Sequence, residues 1–386
     1  MLIHSQRASQ ITPFHVMRLL ARATELEVQG RDIIHMAVGE SDFKTPQPVI
    51  DAAKVAIATD NMHYTPATGL PALKQKLSEH YQQAYQVDVD PDRIVITPGS
   101  SGALLLSLAC VVEPGKNILM ADPGYPCNRN FSYFLDGDVC AINVDETTNY
   151  QLTAELIEQH WDKNTVGVIL ASPSNPTGTL IASSQLKAMV DVVNSKDGSI
   201  FMDEIYHGLV YASDKTKSIL NFTDTAFVIN SFSKFYGMTG WRVGWCVVPE
   251  PYLTYVDNFA QNIFLATATP AQHAALAAFE PQTQAILEQR RETFRQRRDF
   301  LLPALRALGF QIKSEPQGAF YIYADCSALT DDSEQFAEQL LEQADVAITP
   351  GMDFGDNRFK QHVRFAYTTS LERLQAGVDR IAEFLK

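Results

Sequence analysis

The sequence predicts an α/β fold: a large domain with a mostly parallel sheet flanked by helices, plus a smaller α+β domain. In the middle of the chain, short apolar runs alternate with helical stretches, the rhythm of strands joined by crossover helices. The 386 residues amount to two or three domain equivalents at roughly 150 residues each. A charge-rich helical pattern from Thr283 then opens a second block with its own strand.

In chain order, Thr12 and Pro13 form an N-cap and N1 pair, after which Val16, Leu19, Leu20, Ala23 and Leu26 recur at helical spacing as far as Gly30. Ile94–Thr97 reads as a strand leading into a helix over Ser101–Val112. Further strands are expected at Ile118–Ala121, Val166–Ala171, Ile200–Met202 and Phe227–Ile229, with a helix over Ser184–Val193. Arg242–Val248 follows too closely to allow a crossover helix, so it is expected to pair antiparallel. A long helix over Thr283–Leu308, a strand at Phe320–Tyr323 and a terminal helix from Leu371 complete the pattern. The expected division is an N-terminal segment, 1–45, packing with the small domain, a large domain, 46–282, and a small domain, 283–386.

Composition removes several function classes. Hydrophobic residues make up 46% and charged residues 20%, the values of an ordinary folded protein. The net charge of −14 opposes binding to nucleic acid or to an anionic membrane. The N-terminus has no apolar signal region, and the longest apolar run, Ala103–Val112, is far short of the ~20 residues that span a bilayer. The cysteines, Cys110, Cys127, Cys140, Cys246 and Cys326, are odd in number and scattered, which suggests neither a disulfide framework nor zinc and fits a reducing cytoplasm. No histidine pair has metal-ligand spacing, no Gly-x-Ser-x-Gly elbow occurs, and no Gly-x-Gly-x-x-Gly follows a strand.

Ligands of open α/β sheets sit beyond the carboxyl ends of the strands, and here those ends are polar. They read Gly99-Ser100-Ser101-Gly102, Ser172-Pro173-Ser174-Asn175-Pro176-Thr177-Gly178, Asp203-Glu204-Ile205-Tyr206 and Ser231-Phe232-Ser233-Lys234. Small residues opening a helix at Gly99–Ser101 expose backbone N–H groups to an anion. Ser231 and Arg242 can add a hydroxyl and a bidentate guanidinium to the same phosphate. Lys234 is the one amine of the set, and a desolvated lysine is nucleophilic toward carbonyls. Asp203 can hold a proton on a ring nitrogen, and Asn175 with Tyr206 can hydrogen-bond a phenolate. Phosphate, aldehyde, pyridine nitrogen and phenolate together describe pyridoxal 5′-phosphate.

With these residues the chain resembles the fold-type I, class I/II aminotransferases, which depend on pyridoxal phosphate and share the aspartate aminotransferase-like fold. The most specific segment is Ser231-Phe232-Ser233-Lys234-Phe235-Tyr236-Gly237-Met238-Thr239-Gly240-Trp241-Arg242, similar to the family's Schiff-base segment. Asn175-Pro176-Thr177-Gly178, Asp203-Glu204-Ile205-Tyr206 and Arg364-Phe365 match in order. The resemblance implies that Lys234 is the Schiff-base lysine and shuttles a proton at the substrate Cα. It implies that Asp203 keeps the pyridine nitrogen protonated, that Asn175 and Tyr206 hold the phenolic oxygen, and that Tyr125 stacks on the ring. Ser100, Ser101, Ser231 and Arg242 are implied in phosphate binding, and Tyr64 in reaching the cofactor of the neighbouring subunit of a homodimer. Arg364 is implied as the clamp on the substrate α-carboxylate, with Gly39 beside it. Gly318-Ala319-Phe320-Tyr321 also matches a family segment and reads equally as a turn leading into a buried strand.

No Lys or Arg lies between Val243 and Gln289, where relatives that take aspartate commonly carry an arginine, so a neutral or aromatic donor is favoured. The expected activity is ping-pong transfer of an amino group to a 2-oxo acid, with 2-oxoglutarate implied by the resemblance. A carbon–sulfur β-lyase of the same fold is the nearest rival. A non-catalytic cofactor-binding protein is the rival from another class.

Overall fold

Along the central strands, successive side chains go to opposite faces, and each face buries its own core. Ile94, Ile96, Leu119, Val168, Leu170, Ile200, Met202 and Val228 pack on one side. Their chain neighbours Val95, Ile118, Ile169, Phe201, Phe227 and Ile229 pack on the other. Strands buried on both faces read as near-continuous apolar runs, which is why they stand out in the sequence.

The computed structural model describes residues 5–11, 13–59, 62–211 and 216–386. Its strands are β1 (Ile34–His35), β2 (Ile94–Thr97), β3 (Asn117–Asp122), β4 (Asp138–Asn143), β5 (Thr165–Ala171), β6 (Ser199–Asp203), β7 (Phe227–Ser231), β8 (Gly244–Val247), β9 (Tyr321–Asp325), β10 (Val346–Ala347), β11 (Thr349–Pro350) and β12 (His362–Ala366). The main sheet has seven strands in the order β2-β8-β7-β6-β5-β3-β4. β3 to β7 pair parallel, and β8 runs against both of its neighbours, β7 and β2. The antiparallel pairing expected of the segment after β7 is therefore present.

A second core joins the N-terminal segment to the last third of the chain. Leu19, Ala23 and Leu26 of helix His15–Val28 bury against Leu301, Leu305, Phe336, Leu340 and Ile381. β1 pairs parallel with β10, and β12 lies between β11 and β9 in a three-stranded antiparallel sheet. Among the described residues, no helix is long and apolar enough to cross a membrane.

Two helix starts that bear on the site differ from expectation. Thr12 lies outside the described residues, and the helix expected to start at Pro13 begins at His15 with Phe14 at its N-cap. Its first amides are met instead by Asp353, from more than 300 residues away. The helix expected from Ser101 begins at Gly99 and ends at Ala109, which puts the whole Gly99–Ser101 stretch into its first turn. β4 is a strand beyond those expected, although Val139–Ile142 is an apolar run: it is an edge strand, and only Ile142 among its six residues is buried.

Candidate active site

Register assembles the first part of the site. Gly244, the first residue of β8, pairs with Thr97 at the end of β2 and with Ser231 at the end of β7. Because β8 is antiparallel, the residue two positions before it, Arg242, is delivered to the edge where β2 and β7 finish. A Cβ on Gly244 would lie 2.7 Å from the carbonyl carbon of Gly99 and 2.8 Å from the oxygen of Asn230, so backbones meet there with no room for a side chain. A Cβ on Gly99 would lie 2.5 Å from Arg242 Nη2. The guanidinium thus approaches the first turn of helix Gly99–Ala109 over bare backbone, and Arg242 donates from Nη1 to Thr239 O at 3.0 Å.

These groups form one end of a cavity of ≈ 270 Å³. Of the twelve residues singled out in the sequence, ten line it: Gly39, Ser100, Ser101, Tyr125, Asn175, Asp203, Tyr206, Lys234, Arg242 and Arg364. The other two do not. Ser231 is only 1% exposed. Its hydroxyl donates to Ser233 Oγ at 2.9 Å and to Val243 O at 3.3 Å and accepts from Ser233 N at 3.0 Å, so Ser233 takes its place on the wall. Tyr64 stands 83% exposed on the outer surface.

In the middle of the cavity Lys234 Nζ donates to Gly39 O at 2.7 Å. Asp203 ends β6 and accepts from Ile205 N at 3.0 Å. Burial pushes its carboxyl up to about 6, against the pull of the Ile205 amide and the Lys234 charge. Tyr206 and Tyr321 share a hydrogen bond between hydroxyls at 2.9 Å, and burial raises the Tyr206 phenol well above its ordinary value. At the far end Arg364 donates to Asn175 Oδ1 at 2.8 Å and to Ala37 O at 2.7 Å. Its guanidinium lies 4.1 Å from the Tyr321 ring centre and 4.8 Å from that of Phe354. Its Nε is buried without a partner.

Directly behind Asp203, Glu204 is fully buried and accepts from Ser218 Oγ at 2.9 Å and Ile219 N at 2.8 Å. Its other oxygen is 3.4 Å from His207 Nδ1. Burial pushes Glu204 up to about 8 and His207 down to about 3. At neutral pH a protonated carboxyl therefore faces a neutral imidazole, and of the two adjacent carboxyls Asp203 alone carries charge.

A family model described as aminotransferase class I and II matches residues 31–381. The chain belongs to the class I and II aminotransferases. It is similar to a valine–pyruvate aminotransferase of Mycobacterium tuberculosis, with 36% identity over 97% of this chain and 97% of the relative. It is also similar to a (5-formylfuran-3-yl)methyl phosphate transaminase of Methanocaldococcus jannaschii, with 34% identity over 99% of each. Among solved structures, an aminotransferase from Mycobacterium tuberculosis superposes with a TM-score of 0.97 at 35% identity, covering 100% of this chain and 99% of that one. An aspartate aminotransferase from Thermus thermophilus with maleate gives 0.93 at 31% identity, covering 99% of this chain and 100% of that one. The aminotransferase is an enzyme of amino acid and 2-oxo acid substrates, and its cofactor is pyridoxal phosphate.

The cavity fits that cofactor chemically. One end offers a helix N-terminus and a guanidinium, suited to a phosphate dianion. The middle offers an amine and a carboxyl raised by burial, suited to a protonated ring nitrogen. The far end offers a buried arginine with one donor unused. Residues missed in the sequence complete the walls of the aminotransferase: Ser233, Thr239, Tyr321, Asp353 and Phe354. Tyr321 lies in the Gly318–Tyr321 segment, and Ser233 and Thr239 lie in the Ser231–Arg242 segment, so each had that much of a signal; Asp353 and Phe354 had none.

Proposed function

We propose that the enzyme takes its amino group from an amino acid with an uncharged aliphatic or aromatic side chain and passes it to a 2-oxo acid in the same cavity, the two substrates alternating in a ping-pong cycle. The observation that carries this is the charge inventory of the lining. Its cations are Lys234, Arg242 and Arg364, and the remaining charges are the carboxylates of Asp203 and Asp353. With one cation at the amine chemistry, one at the phosphate end and one for the α-carboxylate, none on this chain's wall is left for a second substrate carboxylate. The free wall is Phe14, Val16, Met17, Leu20 and Phe354. A carboxylate there would be desolvated without a partner.

Pyridoxal phosphate, when bound, supplies an electron sink for the pair released as the substrate Cα–H bond breaks. Lys234 holds it through the ε-amine and then moves the proton at Cα, as general base and acid. Asp203 holds the proton on the ring nitrogen, and Tyr206 and Asn175 orient the ring through its phenolic oxygen. Tyr125 packs against the ring face. Ser100, Ser101 and Arg242 bind phosphate directly, while Ser231 acts through the Ser233 hydroxyl. Arg364 clamps the α-carboxylate, held in aim by Asn175 and Ala37, and Gly39 leaves room for the Tyr321 ring that lies against the guanidinium: a Cβ there would collide with the Tyr321 hydroxyl.

The same inventory favours a monocarboxylic acceptor over the 2-oxoglutarate that the resemblance implied. The Mycobacterium tuberculosis relative is named for valine and pyruvate, and pyruvate has no second carboxylate. We further propose a large domain over 46–282 and a small one over 283–386 joined by 1–45, a cytoplasmic setting in keeping with five free cysteines, and a homodimer. What supports the homodimer is apolar exposure: Tyr64 83%, Tyr255 58%, Ile263 50% and Leu265 62%. The Tyr64 loop is tied to the segment after Leu265 by a Thr269 Oγ to His63 O bond of 2.8 Å.

The test is product analysis with a donor panel and pyruvate or 2-oxoglutarate. Valine, leucine or phenylalanine should give their oxo acids plus alanine when pyruvate is the acceptor, with parallel double-reciprocal plots. Preference for aspartate would defeat the donor assignment. Ammonia, pyruvate and a thiol from a cysteine conjugate, without a new amino acid, would make the enzyme a β-lyase.

A further inference from the structure

We infer that Asp353 is a positioning residue for donor specificity: it pins the N-terminal turn of helix His15–Val28 as the outer wall of the substrate cavity, and its charge turns away a second carboxylate. This rests on the reading above that the donor is uncharged.

The first amides of a helix need acceptors, and Phe14, at the N-cap, has no side-chain acceptor to give. Asp353 supplies both, with Oδ1 2.6 Å from His15 N and Oδ2 2.8 Å from Val16 N. A carboxylate at the positive end of a helix makes strong, charge-assisted bonds, and Asp353 is only 6% exposed, so water competes little. The other polar ties of this helix among the described residues are surface pairs, Arg18 to Glu334 and Glu338, Arg22 to Glu342, His15 to Glu334 and Glu27 to His35, and such pairs contribute little. Leu19, Ala23 and Leu26 hold its other face in the core. Val16, Met17 and Leu20 are left toward the cavity.

The anchor is also tied to the α-carboxylate seat. Asp353 ends the tight turn Gly351–Asp353, where a Cβ on Gly351 would lie 2.7 Å from His362 O. The next residue, Phe354, is the ring under the Arg364 guanidinium. One constrained turn therefore sets both the group that fixes the donor's α-carboxylate and the wall that its side chain must reach. A long apolar side chain depends on that spacing, whereas a methyl group does not reach far enough to sense it.

The experiment compares kcat and KM for alanine, valine, leucine, phenylalanine and aspartate in the pyridoxal phosphate-loaded wild type, Asp353→Asn and Asp353→Ala. Losing charge-assisted bonds at the anchor should raise KM about tenfold for leucine and phenylalanine, less for valine and least for alanine, with kcat moving less than about threefold. The aspartate-to-leucine ratio of kcat/KM should rise by about tenfold or more. An equal loss for every donor, or a loss carried by kcat, would overturn the inference. If the Asp353 variants do not fold, Met17→Lys keeps the anchor and puts a cation on the wall; its aspartate-to-leucine ratio should rise, and an unchanged ratio counts against the inference. A wild type that itself prefers aspartate would sink the donor reading; a wild type that prefers leucine beside variants that lose all donors alike would sink the anchor alone.

Discussion

At the scale of single residues, the chemistry depends on groups that are costly to bury and are held by few, defined partners. Asp203 is the clearest case. With its carboxyl near 6 before any cofactor binds, it is neutral below that pH and cannot pair with a protonated ring. The dissociation constant for pyridoxal phosphate, read by absorbance titration, should therefore rise as pH falls through about 6. Asp203→Asn keeps the shape and removes the charge; kcat should fall by about 10²–10³-fold with the fold intact by circular dichroism. Lys234, Asp203, Asn175 and Arg364 could be read from the sequence because each follows a recognisable strand or sits in a matching segment. Asp353 and Phe354 could not, since what makes them functional is a contact: Asp353 is an ordinary loop aspartate until a helix 337 residues earlier starts on it. Ser231 shows the converse, a residue of the right type in the right segment whose hydroxyl points to its neighbour instead of the cavity.

At the scale of elements, the phosphate end exists because three strands finish together, β2, β7 and the start of the reversed β8. Gly244 is where they meet, and its missing side chain is filled on several sides by backbone atoms. Gly244→Ala should lower stability by about 1–3 kcal/mol or more, measured by urea denaturation, and weaken pyridoxal phosphate binding because the atoms displaced belong to Gly99 and Ser100. Most sheet strands were legible because burial on both faces writes them as apolar runs; β4 was passed over although Val139–Ile142 is apolar, and at the sheet edge only Ile142 of that run is buried. The helix His15–Val28 was legible by its periodicity, while its start was not, because its cap comes from the far end of the chain.

At the scale of the molecule, the buried pair Glu204 and His207 ties stability to pH. Glu204 keeps its proton to about 8 in the folded protein against an ordinary value of 4.5. Between those values the unfolded chain has lost the proton and the folded protein has not. Stability from this group is thus full below about 4.5 and is lost as pH rises toward 8, by at most about 1.4 kcal/mol per pH unit. His207, held down to about 3 against an ordinary value of 6.5, works in the opposite sense and offsets this below about pH 6.5, so the midpoint of thermal unfolding should fall between about pH 6.5 and 8, and Glu204→Gln should flatten that slope. The homodimer gives a separate prediction: light scattering should report about twice the chain mass of 42.9 kDa, and Tyr64→Ala should weaken pyridoxal phosphate binding although Tyr64 does not line the active-site cavity of its own subunit.

The central assignment is that Lys234 holds the cofactor at the meeting point of these elements and that the bound form takes amino groups from neutral amino acids. It is tested most directly by adding pyridoxal phosphate to the purified protein, following the visible absorption band, and reducing with borohydride before peptide mapping. We expect a band in the wild type, a permanent mass increase on the peptide carrying Lys234, loss of both in Lys234→Ala, and bleaching of the unreduced band by leucine or valine well before aspartate. Label on another lysine, or an unchanged band in Lys234→Ala, would contradict the assignment of the site; a Lys234 band bleached first by aspartate would contradict the assignment of the donor.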